Sequence, residues 1–327
     1  MTRRFNFLPA LLAIAFVACN EEFTPKGKFE PTLVVYGILG GDRDIQFVRV
    51  SSTYNTVGFD PKENSEDPQI TDAVVTLSSA GSTIMLRDTL LLRRDSSRYK
   101  SLIHAYYVSG MRPTPNTRYQ LSVNTATRGS ATGSVLVPDH GIPTVTNPFI
   151  FTRPLNFPNT DIFIGLVLAN DARGYVVRLF VDYEIIPGQF RRIEVPMRID
   201  WTTGEPVPVY PSVRRGVTES SPSLSISHQI TRDAYVYALY QAELGYSRTT
   251  LRFRQAVIVL YSIDKNLYSY YNIANGFQDP SSIRTDQPDF TNIRGGVGVF
   301  GAYSVDSVTV DLENRWIDIF SARAKME

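Results

Sequence analysis

The stretch Met111-Arg-Pro-Thr-Pro-Asn-Thr-Arg-Tyr119-Gln-Leu121-Ser-Val123 decides the fold class. Pro113, Pro115 and Asn116 do not belong in a central strand, because proline lacks a ladder donor and asparagine favours turns. After them Tyr119, Leu121 and Val123 alternate with Gln120 and Ser122, which puts three apolar side chains on one face of a strand. Upstream, Leu33 to Leu39 is a near-continuous apolar run, and Gln46 to Ser52 alternates around Val48 and Val50. Ala73, Val75 and Leu77 alternate with Val74, Thr76 and Ser78, and Ala80-Gly81 turns this run into Thr83 to Leu86. Short alternating runs divided by turn residues predict an antiparallel sandwich. A last strand near Ser134 to Val137 closes the module at Pro138, and Pro138-Asp-His-Gly-Ile-Pro143 reads as a linker.

The second half is less regular. Val177, Leu179, Val181, Tyr183 and Ile185 alternate with Arg178, Asp182 and Glu184, so they form a long strand with one wet face. Pro187-Gly188 turns it toward Phe190 to Val195. Ala256 to Tyr261 is apolar at both parities and predicts a strand buried on both faces. Two stretches carry helical signals. Thr231 to Leu244 has Thr231 and Asp233 as capping residues and Gly245 as its stop. In Ser262 to Gly276, Ser262 caps, Asp264 favours the positive end, and Leu267, Tyr270, Tyr271 and Ala274 share a face. The expected fold is mainly β: an N-terminal immunoglobulin-like β-sandwich over 32–138, then a β-rich domain over 145–327 with two packed helices, near 231–244 and 263–275.

The front of the chain has another character. Arg3 and Arg4 precede an apolar run from Phe5 to Val17, which ends in Ala18-Cys19. Thirteen residues are too few for a helix across ~30 Å of hydrocarbon, but they suit the core of a signal peptide. Residues 1–18 therefore read as a lipoprotein signal peptide, with the Cys19 thiol as the group that takes lipid. Residues 19–31 read as a polar, proline-containing tether. Cys19 is the only cysteine among 327 residues, which excludes an intrachain disulfide and a thiolate metal cluster. Processing removes Arg3 and Arg4 and leaves 31 cations against 32 anions. No basic run points to a nucleic-acid partner.

Candidate chemistry is sparse. His104, His140 and His228 form no His-x-x-x-His pair, and no Gly-x-Ser-x-Gly elbow is present. Gly296-Val-Gly298-Val-Phe-Gly301 matches a dinucleotide glycine pattern, but it continues as strand-like Ala302-Tyr303-Ser304-Val305. It reads as a glycine-rich strand that neighbouring backbone or rings approach closely. Asp60, Glu63, Glu66 and Asp67 lack the spacing of a calcium loop and read as a solvated surface loop. Tyr268, Tyr270, Tyr271, Phe300 and Tyr303 are the aromatics to test as a contact surface, since flat rings stack on sugars and anchor interfaces; the alternative for each is a place in the core or in helix packing.

Cys19, Leu33-Val-Val-Tyr-Gly37, Pro115-Asn-Thr-Arg-Tyr119 and Asn292-Ile-Arg-Gly-Gly-Val-Gly-Val-Phe-Gly-Ala-Tyr303 together resemble the DUF4249 family, lipoproteins of Bacteroidetes. The resemblance implies lipidation at Cys19; no cofactor beyond that covalent lipid is expected. Glu21 and Glu22 resemble the acidic export signal of surface lipoproteins in that phylum. By association, the family implies an accessory role beside a TonB-dependent outer-membrane transporter. The expected function is thus a non-enzymatic, lipid-anchored binding or accessory protein of the outer membrane. The alternatives are a structural or adhesive envelope protein, and a glycan-acting enzyme whose paired carboxylates are not apparent in the sequence.

Overall fold

The computed structural model describes residues 28–56, 60, 64–151, 160–185, 188–217, 224–244, 246, 251–276 and 290–312. Among them the chain is mainly β, with 19 strands and two helices. The largest sheet has nine strands. Its path runs through β12 (Phe190–Val195), β11 (Gly174–Glu184), β17 (Arg252–Ile263), β19 (Gly296–Asp311), β1 (Leu33–Gly40), β2 (Ile45–Ser52), β6 (Ile103–Ser109) and β5 (Arg87–Leu91), with β15 (Arg214–Arg215) beside β11. A five-stranded sheet orders β18 (Ile293–Arg294), β8 (Gly129–Leu136), β7 (Arg118–Thr125), β3 (Val74–Ser79) and β4 (Ser82–Met85). Three strands, β16 (Leu224–Ile230), β10 (Ile162–Leu168) and β9 (Ile142–Val145), make a third sheet. The hairpin β13 (Arg198–Asp200) and β14 (Val207–Val209) makes a fourth. The helices are α1 (Arg232–Glu243) and α2 (Lys265–Gly276).

The Pro113–Val123 stretch behaves as its residue types dictate. Asn116 takes φ +56 in the turn, and Tyr119, Leu121 and Val123 are all buried while Gln120 faces solvent. The same alternation buries Val75 and Leu77 and leaves Val74 exposed. Inward side chains of the five-stranded sheet share one core with Leu33, Val35 and Leu39 of β1, Val48 and Val50 of β2, and Phe300 and Ala302 of β19. A second core gathers β10, β11, β17 and α1, and includes Val310 of β19. In β17 Ala256 to Leu260 are buried at both parities, as the apolar run predicts.

β19 therefore serves both cores. Its first half pairs with β1 in parallel, Leu33 opposite Gly296 through Gly40 opposite Tyr303; its second half pairs with β17 antiparallel. Among the described residues every other strand pair is antiparallel. Around residues 138–145 the chain passes from the first core to the second, while the nine-stranded sheet continues without a break. The segment 32–138 is likewise not closed by β8, whose outer partner is β18 from near the C-terminus.

Along part of its first half, β19 has side chains as partners on the edge away from β1. Asn292 Oδ1 accepts the Phe300 N–H at 2.9 Å, and Asn292 Nδ2 donates to the Phe300 carbonyl at 2.7 Å. Asp264 Oδ1 accepts the Ala302 N–H at 2.9 Å and the Leu267 N–H at 3.1 Å, and Asp264 Oδ2 accepts the Asn266 N–H at 2.7 Å. Asp264 is thus the N-cap of α2. Ser262, expected to cap it, is instead the last but one residue of β17, fully buried, and its hydroxyl has no partner among the described residues. At α1 Thr231 holds the N-cap position without a side-chain cap bond. Asp161 does that work, accepting the Arg232 N–H at 3.0 Å.

Candidate contact face

The nine-stranded sheet has a face turned away from the first core. In β1 strict alternation puts Val34, Tyr36 and Ile38 there, and Tyr36 is 39% exposed within an otherwise apolar run. Helix α2 lies on the same side, above β19. A glycine permits this approach, since a Cβ at Gly301 would stand 2.8 Å from the Leu267 Cβ. The Tyr268 ring needs another, because a Cβ at Gly174 of β11 would stand 2.5 Å from its Cδ2.

The five expected aromatics part company in this setting. Tyr270 meets Tyr36 edge-on, with centroids 6.0 Å apart at 65°, and meets Tyr271 at 6.2 Å and 64°. These three rings form one T-shaped cluster, in which Tyr270 is half-buried and Tyr271 is 36% exposed. Tyr268 is half-buried against β11. Tyr303 pairs with Tyr261 at 5.8 Å, and its hydroxyl donates to Asp42 Oδ1 at 2.7 Å. Phe300 is not a contact residue: it is fully buried in the first core. Three positions separate Phe300 from Tyr303, an odd number, so in a strand they point to opposite faces. Tyr36 and Tyr261 were absent from the expected set, yet they complete the two ring pairs. Cys19, Glu21 and Glu22 lie outside the described residues.

Toward β12 the same face changes to arginine and carboxylate. The Phe180 ring has the Arg178 guanidinium 4.9 Å from its centroid and that of Arg192 at 5.3 Å. Arg178 Nε donates to Glu194 Oε1 at 2.7 Å, and Arg192 Nη2 to Asp182 Oδ2 at 2.8 Å. The Arg192 hydrogen bond holds the Asp182 carboxyl below the usual carboxylate range. Arg178 and Asp182 make the wet face that the β11 sequence predicts, whereas Glu184, beyond the register shift between Asp182 and Tyr183, is buried and paired with Arg254.

Apart from these arginine–carboxylate pairs, the histidines and the perturbed carboxylates lie at separate places. Burial raises Asp264 to about 6 against its three N–H donors. His228 is 2% exposed in β16, neither ring nitrogen has a partner among the described residues, and burial pushes it down to about 4. His140 Nδ1 lies 2.5 Å from Asp306 Oδ1, and His104 stands edge-on to Tyr106. In the acidic loop Asp67 accepts from Arg49 at 2.9 Å and from Arg93, so that carboxylate is committed to two guanidinium groups; Glu63 lies outside the described residues. Among the described residues no group of three His, Cys, Asp or Glu is placed to hold a metal ion.

His228 makes the fold acid-sensitive. Its folded value lies below the unfolded 6.5, so its contribution is complete above pH 6.5 and is lost as pH falls through 4. The stability advantage of His228→Phe over wild type should therefore grow by about 3 kcal/mol between pH 7 and pH 4, read by urea titrations at each pH. An advantage independent of pH would refute it. Asp264 acts oppositely in nearly the same window, so the comparison has to be between variant and wild type at each pH.

What the face supplies is a rigid, ring-studded surface. Tyrosines already packed edge-to-face lose little further freedom on contact, while their hydroxyls remain hydrogen-bonding groups. The model of a family described as a domain of unknown function, DUF4249, matches residues 20–309. The chain belongs to the DUF4249 family. The DUF4249 match takes in β1, α2 and nearly all of β19, so the aromatic cluster and its supporting strand pair lie inside it. Comparison with curated proteins gives no match.

Proposed function

We propose that this DUF4249 protein is an outer-membrane-anchored lipoprotein, exposed at the cell surface, that acts as a non-enzymatic binding or accessory subunit of a TonB-dependent uptake system. The signal-like order Arg3-Arg4, apolar run, Ala18, Cys19 supports the anchor, and Glu21 and Glu22 support the outer face. A tether of 12 residues, 20–31, reaches at most roughly 40 Å when extended, enough to lift the folded part clear of the headgroups. The observation that carries the binding role is the Tyr36–Tyr270–Tyr271 cluster on the outward side of the largest sheet. The transporter as partner rests on the family resemblance.

The test is affinity capture from native outer membranes with wild type and the double variant Tyr36→Ser/Tyr271→Ser. Both side chains are exposed by more than a third, so the variant should keep its fold. A transporter recovered with wild type and reduced about 10-fold or more with the variant is the expected result, since buried interface aromatics commonly contribute 1–2 kcal/mol or more each. Equal recovery would remove the face from the account. A scaffold protein captured in place of the transporter would favour the structural or adhesive reading.

A further inference from the structure

The five-stranded sheet also has a face turned away from its core, and its register aligns hydroxyl groups across it. Thr76 of β3 stands opposite Ser122 of β7, Ser122 opposite Thr132 of β8, and Thr132 opposite Arg294 of β18. The next row holds Ser78, Gln120 and Ser134. A cleft of about 480 Å³ opens over these rows, lined by Ser78, Gln120, Ser122, Thr132, Ser134 and Arg294, with Asn292 at its side. No carboxylate is among the described lining residues. Arg294 is exposed and has no ion-pair partner among the described residues. A second cation, Arg118 of β7, stands beside the cleft and donates to Ser134 Oγ at 3.4 Å.

We infer that this cleft binds an acidic sugar unit, a polyhydroxylated ring carrying a carboxylate. Hydroxyls and carboxamides both donate and accept, so rows of them complement the vicinal hydroxyls of a sugar. A guanidinium with no carboxylate paired to it among the described residues grips the sugar's acid through paired N–H donors. A neutral sugar would leave Arg294 unused, and a phosphate or sulfate ion alone would leave the hydroxyl rows unused. The site lies on a different sheet from the tyrosine cluster and does not depend on it.

Isothermal titration calorimetry of the full chain with trigalacturonate, and with neutral galactotriose as comparison, tests the site. Trigalacturonate should bind at least about 10-fold more tightly than galactotriose, the contribution of a charge-assisted pair. Arg294→Ala should erase that difference, Arg294→Lys should restore only part of it, and Thr132→Val should weaken trigalacturonate binding several-fold. Tyr36→Ser/Tyr271→Ser should leave both titrations unchanged. Absence of trigalacturonate binding, equal binding of the two sugars, or full binding by Arg294→Ala or by Thr132→Val would each overturn the assignment.

Discussion

Gly298→Ala is expected to remove most of the stability of the protein. Gly298 sits in β19 at φ +120, where side chains are rarely tolerated, and a Cβ there would fall 2.1 Å from the Val35 carbonyl oxygen, 3.0 Å from its carbon and 3.1 Å from its nitrogen. All three are backbone atoms of β1, so no side chain can swing away to make room. Relief requires β1 and β19 to separate, and that parallel pair brings Leu33, Val35, Leu39, Phe300 and Ala302 into the first core. Backbone strain alone costs about 1–3 kcal/mol, and forcing the seam apart adds to it. Against a whole stability of about 5–15 kcal/mol for many domains, the two costs together are a large fraction. Gly188→Ala is the control: φ is +91, but among the described residues nothing lies within 4 Å of the added carbon. It should cost about 1 kcal/mol. Soluble yield and the urea midpoint separate the two, and equal midpoints would show that the β1–β19 contact is not as close as described.

Asp264→Ala is expected to cost about 3 kcal/mol. Its carboxylate accepts from Leu267 and Asn266 at the start of α2 and from Ala302 on the edge of β19, within a site where Asp264 is 4% exposed. Loss of a helix cap costs about 1 kcal/mol, and leaving a buried N–H unpaired costs about 1–3 more. Amide exchange at Ala302 should accelerate even under conditions in which the protein stays folded. Asp264→Asn should do less harm, because Oδ1 alone holds the bonds from Ala302 and Leu267. Its effect also has a pH signature. The folded value, about 6, lies above the ordinary 3.8, so Asp264 contributes fully below pH 3.8 and loses that contribution as pH rises through 6. Asp264→Asn should therefore be most destabilising relative to wild type in acid and approach it above pH 6. A gap that widened with rising pH would contradict this description of the site.

Local pattern explains why much of the fold was readable. Period-two alternation placed Tyr119, Leu121, Val75 and Leu77 inward, and a run apolar at both parities marked β17 as buried on two sides. The glycine-rich segment 296–301 was legible as a strand with a close neighbour. That the neighbour is β1, from the other end of the chain, was not, because pairing between distant strands leaves no local trace. The same limit hid the roles of Asn292 and Asp264 at the strand edge. Ser262 was misread as a cap because β17 continues through it: Tyr175 of β11 and Ser304 of β19 still pair with it. Phe300 takes the core alternative, and its parity against Tyr303 in the sequence already separates the two rings onto opposite faces. Tyr36 was masked by the apolar run around it, where only alternation against the sheet's two faces distinguishes an outward ring from a core one.

The functional account rests on the Cys19 thiol carrying lipid and holding the folded chain at the envelope, with its tyrosine face outward. Metabolic labelling with palmitate, in wild type and Cys19→Ala, tests this most directly. Label in the wild type and none in the variant, with the variant also released from the membrane fraction, is the predicted result. No label in the wild type, or equal label in Cys19→Ala, would contradict it.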